Sequence, residues 1–339
     1  MPPAPVLVTG GTGLVGGALV DRLVAEGRTV LALARSGAAA TALAAAGASP
    51  ARGDILDPES LRAAMRGCAS VFNVAGVNAM CLRDPRPMYR ANVDGAANVI
   101  RAAAAAGVAR VVHTSSASAI GEAEGTIGRE DSPHRGSYLS RYERSKHLGE
   151  RTVLALASEL GVEVVCVNPS SVQGPGRTGG SARLLLDLVN GRLPALVETT
   201  ISLVDIADCS RGHVLAEALG VPGERYLLSG ASLTTREAVE LLRRLWGRPE
   251  RVRWIPAGVA RAGGAGVEAV GRLLRRDVPV CREAVRTLLH GHRYDGSRAA
   301  RELDLVYSPL EETLGRTLAW YAERGMIPPR AGRPGDRRT

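Results

Sequence analysis

The chain has 339 residues, 45% of them hydrophobic and only 3% aromatic, and it carries a formal net charge of +9. This composition suits one large or two smaller globular domains, and the arginines are spread along the chain instead of forming one basic stripe, which disfavours nucleic-acid binding. The sequence contains no apolar run of 18 or more residues, and no leader-like segment precedes the first predicted strand. We therefore expect a cytoplasmic protein that does not engage a membrane.

The five cysteines, at positions 68, 81, 166, 209 and 281, are scattered along the sequence. They form no CxxC pair, and the chain offers no His/Cys cluster at metal-ligand spacing. We expect reduced cysteines, mostly in the core, and no bound metal.

Residues 6–16, Val-Leu-Val-Thr-Gly-Gly-Thr-Gly-Leu-Val-Gly, predict a strand, a tight turn and the start of a helix. Gly10 permits the turn, Gly13 lets the backbone approach a pyrophosphate, and Gly16 lets helix and strand pack closely. The helix N-terminus then offers free N–H groups and positive potential to an anion. The predicted cofactor contacts in this stretch are Gly10, Thr12, Gly13, Leu14, Val15 and Gly16.

After this turn, strand-length apolar segments alternate with helix-length segments. The predicted strands are 6–9, 29–34, a short one before Gly53, 70–75, 108–114 and 162–167. The predicted helices are one ending near 26 and others at about 38–46, 58–66, 86–106 and 138–160. Helical crossovers between successive strands predict an α/β fold, a Rossmann-type doubly wound parallel sheet.

From about residue 168, shorter elements with Pro and Gly between them predict a smaller, partly helical C-terminal lobe over the carboxyl ends of the strands. These elements are a helix at 181–190, a strand and helix across 201–219, a strand at 225–228, and helical or apolar segments at 234–246, 257–274, 281–290 and 309–324. The predicted units are an NADP-binding domain at 1–168 to which 200–223 returns, a substrate lobe at 169–199 and 224–328, and a disordered basic tail at 329–339.

The end of the second predicted strand indicates which dinucleotide binds. Arg35 and Ser36 stand where an NAD enzyme places an acid for the ribose 2′-hydroxyl, and a cation there suits a 2′-phosphate. The alternative is that Arg35 is one more surface arginine. Asp54 and Ile55 follow the third strand, where Asp54 could accept a hydrogen bond from adenine or could cap the helix near 58.

Of the 43 basic side chains, a single one, Lys146, is lysine, and it stands four residues after Tyr142. Residues four apart share one helix face, so the two side chains are expected side by side. A neighbouring ammonium should favour the phenolate and lower the pKa of the tyrosine. Ser116 lies just past the fifth strand and is the predicted partner for the same substrate oxygen, with Ser115 as its rival.

These residues lie in motifs that resemble the extended short-chain dehydrogenase/reductase family. The motifs are TGGTGLVG at 9–16, GDILD at 53–57, FNVAG at 72–76, YRANVDGAANV at 89–99, TSSASAIG at 114–121, YERSK at 142–146, NPSSVQGPG at 168–176, LVDIADCSRGHVLA at 203–216 and GERYLLSGASLT at 223–234. Within that superfamily the sequence is most similar to dihydroflavonol-4-reductase-like and hopanoid-associated sugar epimerase proteins.

The resemblance implies a catalytic triad of Ser116, Tyr142 and Lys146, with Lys146 also contacting the cofactor. It also implies further cofactor contacts at Ala75, Gly76, Pro169, Ser170 and Ser171, and a homodimer formed through the helices at 86–106 and 138–160. Asn92 also matches a family asparagine, but we leave it out of the predicted catalytic set because a structural role is expected in this branch.

Three functions remain open: an NADPH-dependent ketone reductase, a sugar epimerase that returns its hydride, and a cofactor sensor without turnover. Arg35 favours NADP(H) over NAD(H) and hence net reduction. Ala117 and Ser118 cannot supply the acidic pair that a sugar dehydratase needs, and the intact triad argues against a sensor. The favoured prediction is reduction of a medium-sized ketone, such as a polyketide, flavonoid-like or terpenoid compound. Arg177 and Arg183 either clamp an anionic substrate or face water.

Overall fold

The computed structural model describes residues 4–193, 195–248 and 251–330. The predicted basic tail therefore lies, from residue 331 onward, outside the described residues. Within them, no helix combines the length and the apolar character needed to cross a membrane.

The main sheet has seven parallel strands in the spatial order β10, β6, β5, β4, β1, β2, β3. They are β1 (Val6–Thr9), β2 (Val30–Ala34), β3 (Ser49–Arg52), β4 (Ser70–Asn73), β5 (Arg110–Thr114), β6 (Glu163–Pro169) and β10 (Arg225–Leu228). The order reverses between β1 and β4, which creates a crevice at their carboxyl ends. This arrangement confirms the predicted Rossmann-type α/β fold.

The helices of this half are α1 (Leu14–Ala25), α2 (Gly37–Ala45), α3 (Pro58–Met65), α4 (Arg86–Tyr89), α5 (Ala96–Ala106) and α6 (Arg141–Leu160). One apolar cluster joins α1 and α2 to one face of the sheet, and a second joins α3, α5 and α6 to the other face. The strands other than β3 are thereby mostly buried, as their apolar runs require, while the edge strand β3 is largely exposed.

The predicted helix at 86–106 is interrupted by a π-helical turn, Arg90–Gly95. Helix α6 crosses this turn so closely that a Cβ on Gly149 would lie 2.2 Å from the carbonyl oxygen of Asn92. Such local π geometry often accompanies a functional site, and here it carries Asn92 toward the carboxyl edge of the sheet.

The remaining elements build the lobe and its connections. They are a 3-10 turn (Ala117–Ala119), β7 (Ser171–Gln173), α7 (Ser181–Val189), β8 (Ala195–Leu196), β9 (Thr200–Asp205), α8 (Ile206–Leu219), β11 (Ala231–Thr234), α9 (Thr235–Trp246), β12 (Arg253–Trp254), α10 (Ala257–Leu273), α11 (Arg282–His290), α12 (Ser297–Glu302) and α13 (Leu310–Glu323). Leu188, Val239, Leu242, Trp246, Leu318 and Tyr321 form a separate apolar core for α7, α9 and α13.

Two strands lie elsewhere than the sequence pattern indicated. Strand β10 was expected in the lobe, but it pairs with β6 as an edge strand of the main sheet. Strand β9 was expected to return to that sheet, but it lies between β11 and β7 in a separate three-stranded sheet. Only α8 returns, because its apolar side packs in the same cluster as β5 and β6. Sequence order alone did not reveal these pairings.

The expectation that all cysteines are reduced is wrong for two of them. Cys81 and Cys281 form a disulfide across 200 positions of sequence, while Cys68, Cys166 and Cys209 are free and buried. The bond joins the loop after β4 to the residue that precedes α11, so it connects the main sheet to the lobe.

Candidate active site

The turn between β1 and α1 has the geometry that a dinucleotide pyrophosphate needs. Gly10 has a φ of +71°, and a Cβ there would lie 2.8 Å from the backbone of Ala75. A Cβ on Gly16 would lie 2.2 Å from the carbonyl oxygen of Gly10. Helix α1 begins after Gly13 without a side-chain cap, so its first N–H groups are free to face an anion. The residues therefore fit a bound pyrophosphate.

The neighbouring strand ends are held in register by buried polar side chains. Thr9 Oγ1 donates to Asn73 Oδ1 at 2.8 Å and accepts from the backbone N–H of Ala75 at 3.1 Å. Asn73 Nδ2 lies 3.1 Å from Nδ1 of His113. Burial, together with nearby charge from Lys146, lowers the pKa of His113 well below its usual value, so it is neutral.

Two arginines are exposed at the neighbouring ends of β2 and β3. Arg35 is exposed directly after β2, and no other described side chain pairs with it. Ser36 caps α2 by accepting from the N–H of Ala39 at 3.2 Å, and the first turn of α2 contains no acid. Arg52, which the sequence analysis did not single out, is exposed opposite Ala34 in the β2–β3 register.

Asp54 lies in the loop after β3, with its Oδ1 accepting from the N–H of Leu56 at 2.9 Å. The helix that follows is capped by Asp57, whose Oδ1 accepts from Glu59 and Ser60. The alternative that Asp54 caps this helix is therefore wrong. Ile55 is 8% exposed and packs against the face of Gly95.

Ser116, Tyr142 and Lys146 converge at the carboxyl edge of β5 and β6. The Ser116 hydroxyl lies near enough to the Tyr142 phenol to lower its pKa, and Ser116 Oγ is hydrogen-bonded to Ser118 Oγ at 2.9 Å. Ser115 is buried, and its Oγ has no hydrogen-bond partner among the described residues. The geometry therefore brings Ser116, and not its rival Ser115, to the tyrosine.

Lys146 is 7% exposed, and its Nζ donates to the carbonyl oxygen of Thr114 at 2.7 Å. A Cβ on Gly76 would lie 3.8 Å from this Nζ, so the ammonium lies beside Gly76, one of the predicted cofactor contacts. Burial lowers the pKa of Lys146 to about 8, although the Glu150 carboxylate opposes that shift.

The expectation that Lys146 lowers the pKa of Tyr142 is wrong for this structure. Burial raises the pKa of Tyr142, and the two influences that lower it are the nearby hydroxyl of Ser116 and the charge of Arg177. Arg177 is half-buried and donates to the carbonyl oxygen of Val172. Arg183, by contrast, is exposed and pairs with Asp187 at 2.9 Å. Of the two arginines, Arg177 is the one near the tyrosine.

Several supporting residues could not be identified from the sequence. Glu150 is buried one helical turn beyond Lys146 and accepts from Asn168 Nδ2 at 2.6 Å and from Arg225 at 3.0 Å. Asn168 also donates to the carbonyl oxygen of Ser116 at 3.1 Å, so it holds the serine loop against α6. Asn168 and Arg225 lie within family-like motifs that could have indicated this role, whereas Glu150 lies outside every motif.

The remaining predicted cofactor residues border the same crevice. Thr12 is exposed on the turn, and Leu14 and Val15 begin α1. Asn92 bonds both backbone groups of Val77, at 2.7 Å and 2.9 Å, and so has a structural role here. Pro169 ends β6, while the backbone N–H of Ser170 donates to Leu228 and Ser171 begins β7.

A second polar cluster joins the loop that follows Ser116 to the end of α11. The spacing of its residues in the sequence did not predict it. Glu122 is 1% exposed and lies 2.6 Å from Nδ1 of His292 and 3.5 Å from Nε2 of His290. Burial would raise the pKa of Glu122, but its contacts with the two histidines outweigh burial and lower it to about 2.

A parallel sheet with a glycine turn at its switch point and a serine, tyrosine and lysine at its carboxyl edge defines an NAD(P)-dependent enzyme of the extended short-chain dehydrogenase/reductase class. The chain belongs to the NAD dependent epimerase/dehydratase family, whose model matches residues 6–226.

Named relatives match nearly the whole chain. Sterol demethylase protein B of Methylococcus capsulatus is 32% identical over 95% of this chain and 99% of its own length. A putative dihydroflavonol 4-reductase of Synechocystis is 30% identical over 94% of this chain and 95% of its own length. A 4-hydroxy-2-methyl-3-oxo-4-farnesyl-3,4-dihydroquinoline-1-oxide ketoreductase of Stigmatella aurantiaca is 31% identical over 87% of this chain and 90% of its own length. Among solved structures, that of gox2253 superposes with a TM-score of 0.84 at 29% identity, covering 96% of this chain and all of the other.

Proposed function

We propose that this protein is an NADPH-dependent ketoreductase that converts the ketone of a medium-sized substrate to a secondary alcohol. The observation that carries the proposal is the placement of the Ser116 hydroxyl near enough to the Tyr142 phenol to lower its pKa, which brings two hydroxyl groups together at the sheet edge. Two such donors can hold the same carbonyl oxygen. The proposal is also supported by the ketoreductase and dihydroflavonol reductase among the relatives.

The residues divide the work as follows. NADPH, when bound, supplies the hydride. Tyr142 donates the phenolic proton to the substrate oxygen, and its raised pKa keeps that proton in place at neutral pH. Ser116 holds the same oxygen, and Ser118 orients Ser116. Arg177 stabilises the phenolate that remains after the transfer. Lys146 holds the Thr114 carbonyl and faces the cofactor side.

We propose that the cofactor is held by the predicted turn residues and that NADP(H) is preferred over NAD(H). Arg35 and Arg52 are exposed at adjacent strand ends, and the acid-free N-terminus of α2 lies beside them. A 2′-phosphate can accept charged hydrogen bonds from such a pair, whereas a carboxylate that would recognise the ribose 2′-hydroxyl is missing after β2.

A sugar epimerase is the second candidate, favoured by the description of the family. Incubation with 4-deuterated NADPH and a panel of medium-sized ketones distinguishes the two. We expect one NADP⁺ per product and deuterium retained on the new carbinol carbon. An isomerised sugar formed without net cofactor consumption would overturn the reductase proposal in favour of the epimerase.

A further inference from the structure

Glu122, His290 and His292 meet where the loop after the 3-10 turn contacts the segment after α11. One potential ligand atom from each of the three side chains lies within 4.8 Å of the others. The side chains of His290 and Glu122 are only 5% and 1% exposed, and that of His292 is 17% exposed. Two imidazoles and one carboxylate are thus enclosed together.

Each of the three side chains keeps an unused polar atom. Oε2 of Glu122, Nε2 of His290 and Nε2 of His292 are buried, and none has a hydrogen-bond partner among the described residues. Buried polar atoms are costly to leave unpaired. Of these atoms, Nε2 of His290 faces Oε1 of Glu122 at 3.5 Å, and a cation bound between the two would accept its lone pair and remove that cost.

The charges around the cluster favour a cation. Arg135 is the nearest guanidinium, but it donates to the backbone oxygen of Glu122 at 3.0 Å and forms an ion pair with Glu143. Its charge is therefore balanced by another carboxylate. The Glu122 carboxylate lies against both imidazoles, at 2.6 Å from His292 and 3.5 Å from His290, where it can balance the charge of an ion.

We propose that Glu122, His290 and His292 bind one divalent transition-metal ion, zinc by preference, that fastens the serine loop to the lobe. Imidazole nitrogen and carboxylate oxygen are ligands that zinc uses in proteins, at about 2.0–2.2 Å. Around a tetrahedral ion, such ligands stand about 3.4 Å apart.

The observed distances are close to that geometry. Oε1 of Glu122 and Nε2 of His290 are 3.5 Å apart, as a shared ion requires. The 2.6 Å contact between Oε1 and Nδ1 of His292 is a hydrogen bond, and it must lengthen as the ion takes the place of the shared proton. That proton is replaced by one on the unpaired Nε2, so that the ligating imidazole stays neutral. The hydroxyl of Tyr294 lies 2.9 Å from Nδ1 of His292, where it can complete the site.

The position of the cluster explains what the ion would do. Gly128 and Tyr294 already form an isolated bridge between the same two parts of the chain, with Gly128 donating to the carbonyl of Arg293 at 2.8 Å. An ion beside this bridge would fix the lobe relative to the loop that carries Ser116. This inference does not depend on the direction or substrate of the reaction.

The test is calorimetric titration of the full, untagged protein with ZnCl₂ after EDTA treatment and removal of the chelator. We expect one ion per chain and a melting temperature several degrees higher in the presence of excess zinc. Co²⁺ should bind in competition with zinc and give a d–d absorption spectrum typical of a low-coordinate site. Absence of binding to the wild-type chain would overturn the proposal without recourse to any variant.

Variants assign the binding to this cluster. Glu122→Gln keeps the shape of the side chain, and with His292→Ala it should weaken zinc binding at least about 100-fold. The control is the second histidine pair, His134 and His147, whose ring centroids are 4.3 Å apart. His134→Gln should leave binding unchanged. Binding that survives Glu122→Gln and His292→Ala, or that is lost in His134→Gln, would contradict the assignment.

Discussion

The cofactor turn and the junction between sheet and lobe are built on different principles. The shape of the turn depends on the backbone of residues 9–16. Gly10 and Gly16 are needed there because a Cβ at either position would collide with neighbouring main-chain atoms. The junction depends on side chains from distant segments, such as the disulfide between Cys81 and Cys281. The comparison shows that the spacing of residues in the sequence predicts local backbone geometry. It does not predict the long-range contacts that join the sheet to the lobe.

The largest expected effect concerns the junction. Cross-linking residues 200 positions apart restricts the unfolded chain strongly, and chain-entropy arguments give a stabilisation of about 5 kcal/mol. The double variant Cys81→Ala and Cys281→Ala should lose up to that amount in the free energy of unfolding by urea.

Reduction provides the matched control for this prediction. Dithiothreitol should destabilise the wild-type protein and leave the double variant unaffected. The denatured, unreduced wild type should show three titratable thiols among its five cysteines. Five thiols, or equal sensitivity of both proteins to reduction, would show that the bond does not form.

The next effect concerns Lys146, whose pKa burial lowers from 10.5 to about 8. Below pH 8 the folded protein must bury an ammonium, at a cost of about 3 kcal/mol. Between pH 8 and 10.5 the unfolded chain binds more protons than the folded one, so the stability of the wild type rises with pH. Lys146→Met removes this dependence and should therefore have its greatest stability advantage near pH 7.

Urea unfolding of wild type and Lys146→Met at pH 7 and pH 10 measures this difference. Loss of the hydrogen bond to Thr114 is independent of pH and shifts both values equally. A difference in unfolding free energy that stays constant between the two pH values would show that the ammonium is not destabilised by burial.

The same two regions show which features could be predicted from the sequence and which could not. The strand β1, the turn and the α/β order were readable because periodicity and glycine spacing are local. Tyr142 and Lys146 could be paired because they are four residues apart on one helix. The partners of Tyr142, in contrast, include Arg177 from another segment. Glu122 is far from His290 and His292 in the sequence, and the three meet only when the lobe folds back over the loop. No local sequence pattern could therefore predict this cluster.

Arg35 tests whether the turn region also determines cofactor choice. A charged hydrogen bond to a 2′-phosphate contributes on the order of 1.5–3 kcal/mol, or roughly 10- to 150-fold in affinity. Arg35→Asp should therefore reduce the preference for NADPH over NADH by that factor in calorimetric titrations. Arg66→Asp, which makes the same charge change at an exposed position after α3, should leave the ratio unchanged.

Two adjacent glycines sharpen the claim about backbone geometry. A Cβ on Gly16 would lie 2.2 Å from the Gly10 carbonyl oxygen, whereas one on Gly17 would lie 3.4 Å from that of Gly11. Gly16→Ala should lower the unfolding free energy by about 1–3 kcal/mol and weaken NADPH binding. Gly17→Ala should stabilise α1 by up to about 1 kcal/mol. Equal behaviour of the two variants would contradict the close packing of turn and helix.

The central claim, that Tyr142 is the proton donor of an NADPH-dependent reductase, is tested most directly by Tyr142→Phe. Two quantities are measured for each variant: kcat with a ketone that the wild type reduces, and the dissociation constant of NADPH. Tyr138→Phe, on the neighbouring loop, is the control. We predict a fall in kcat of about 100-fold or more for Tyr142→Phe with NADPH binding nearly unchanged, and little effect of Tyr138→Phe. Turnover close to that of the wild type in Tyr142→Phe would contradict the account.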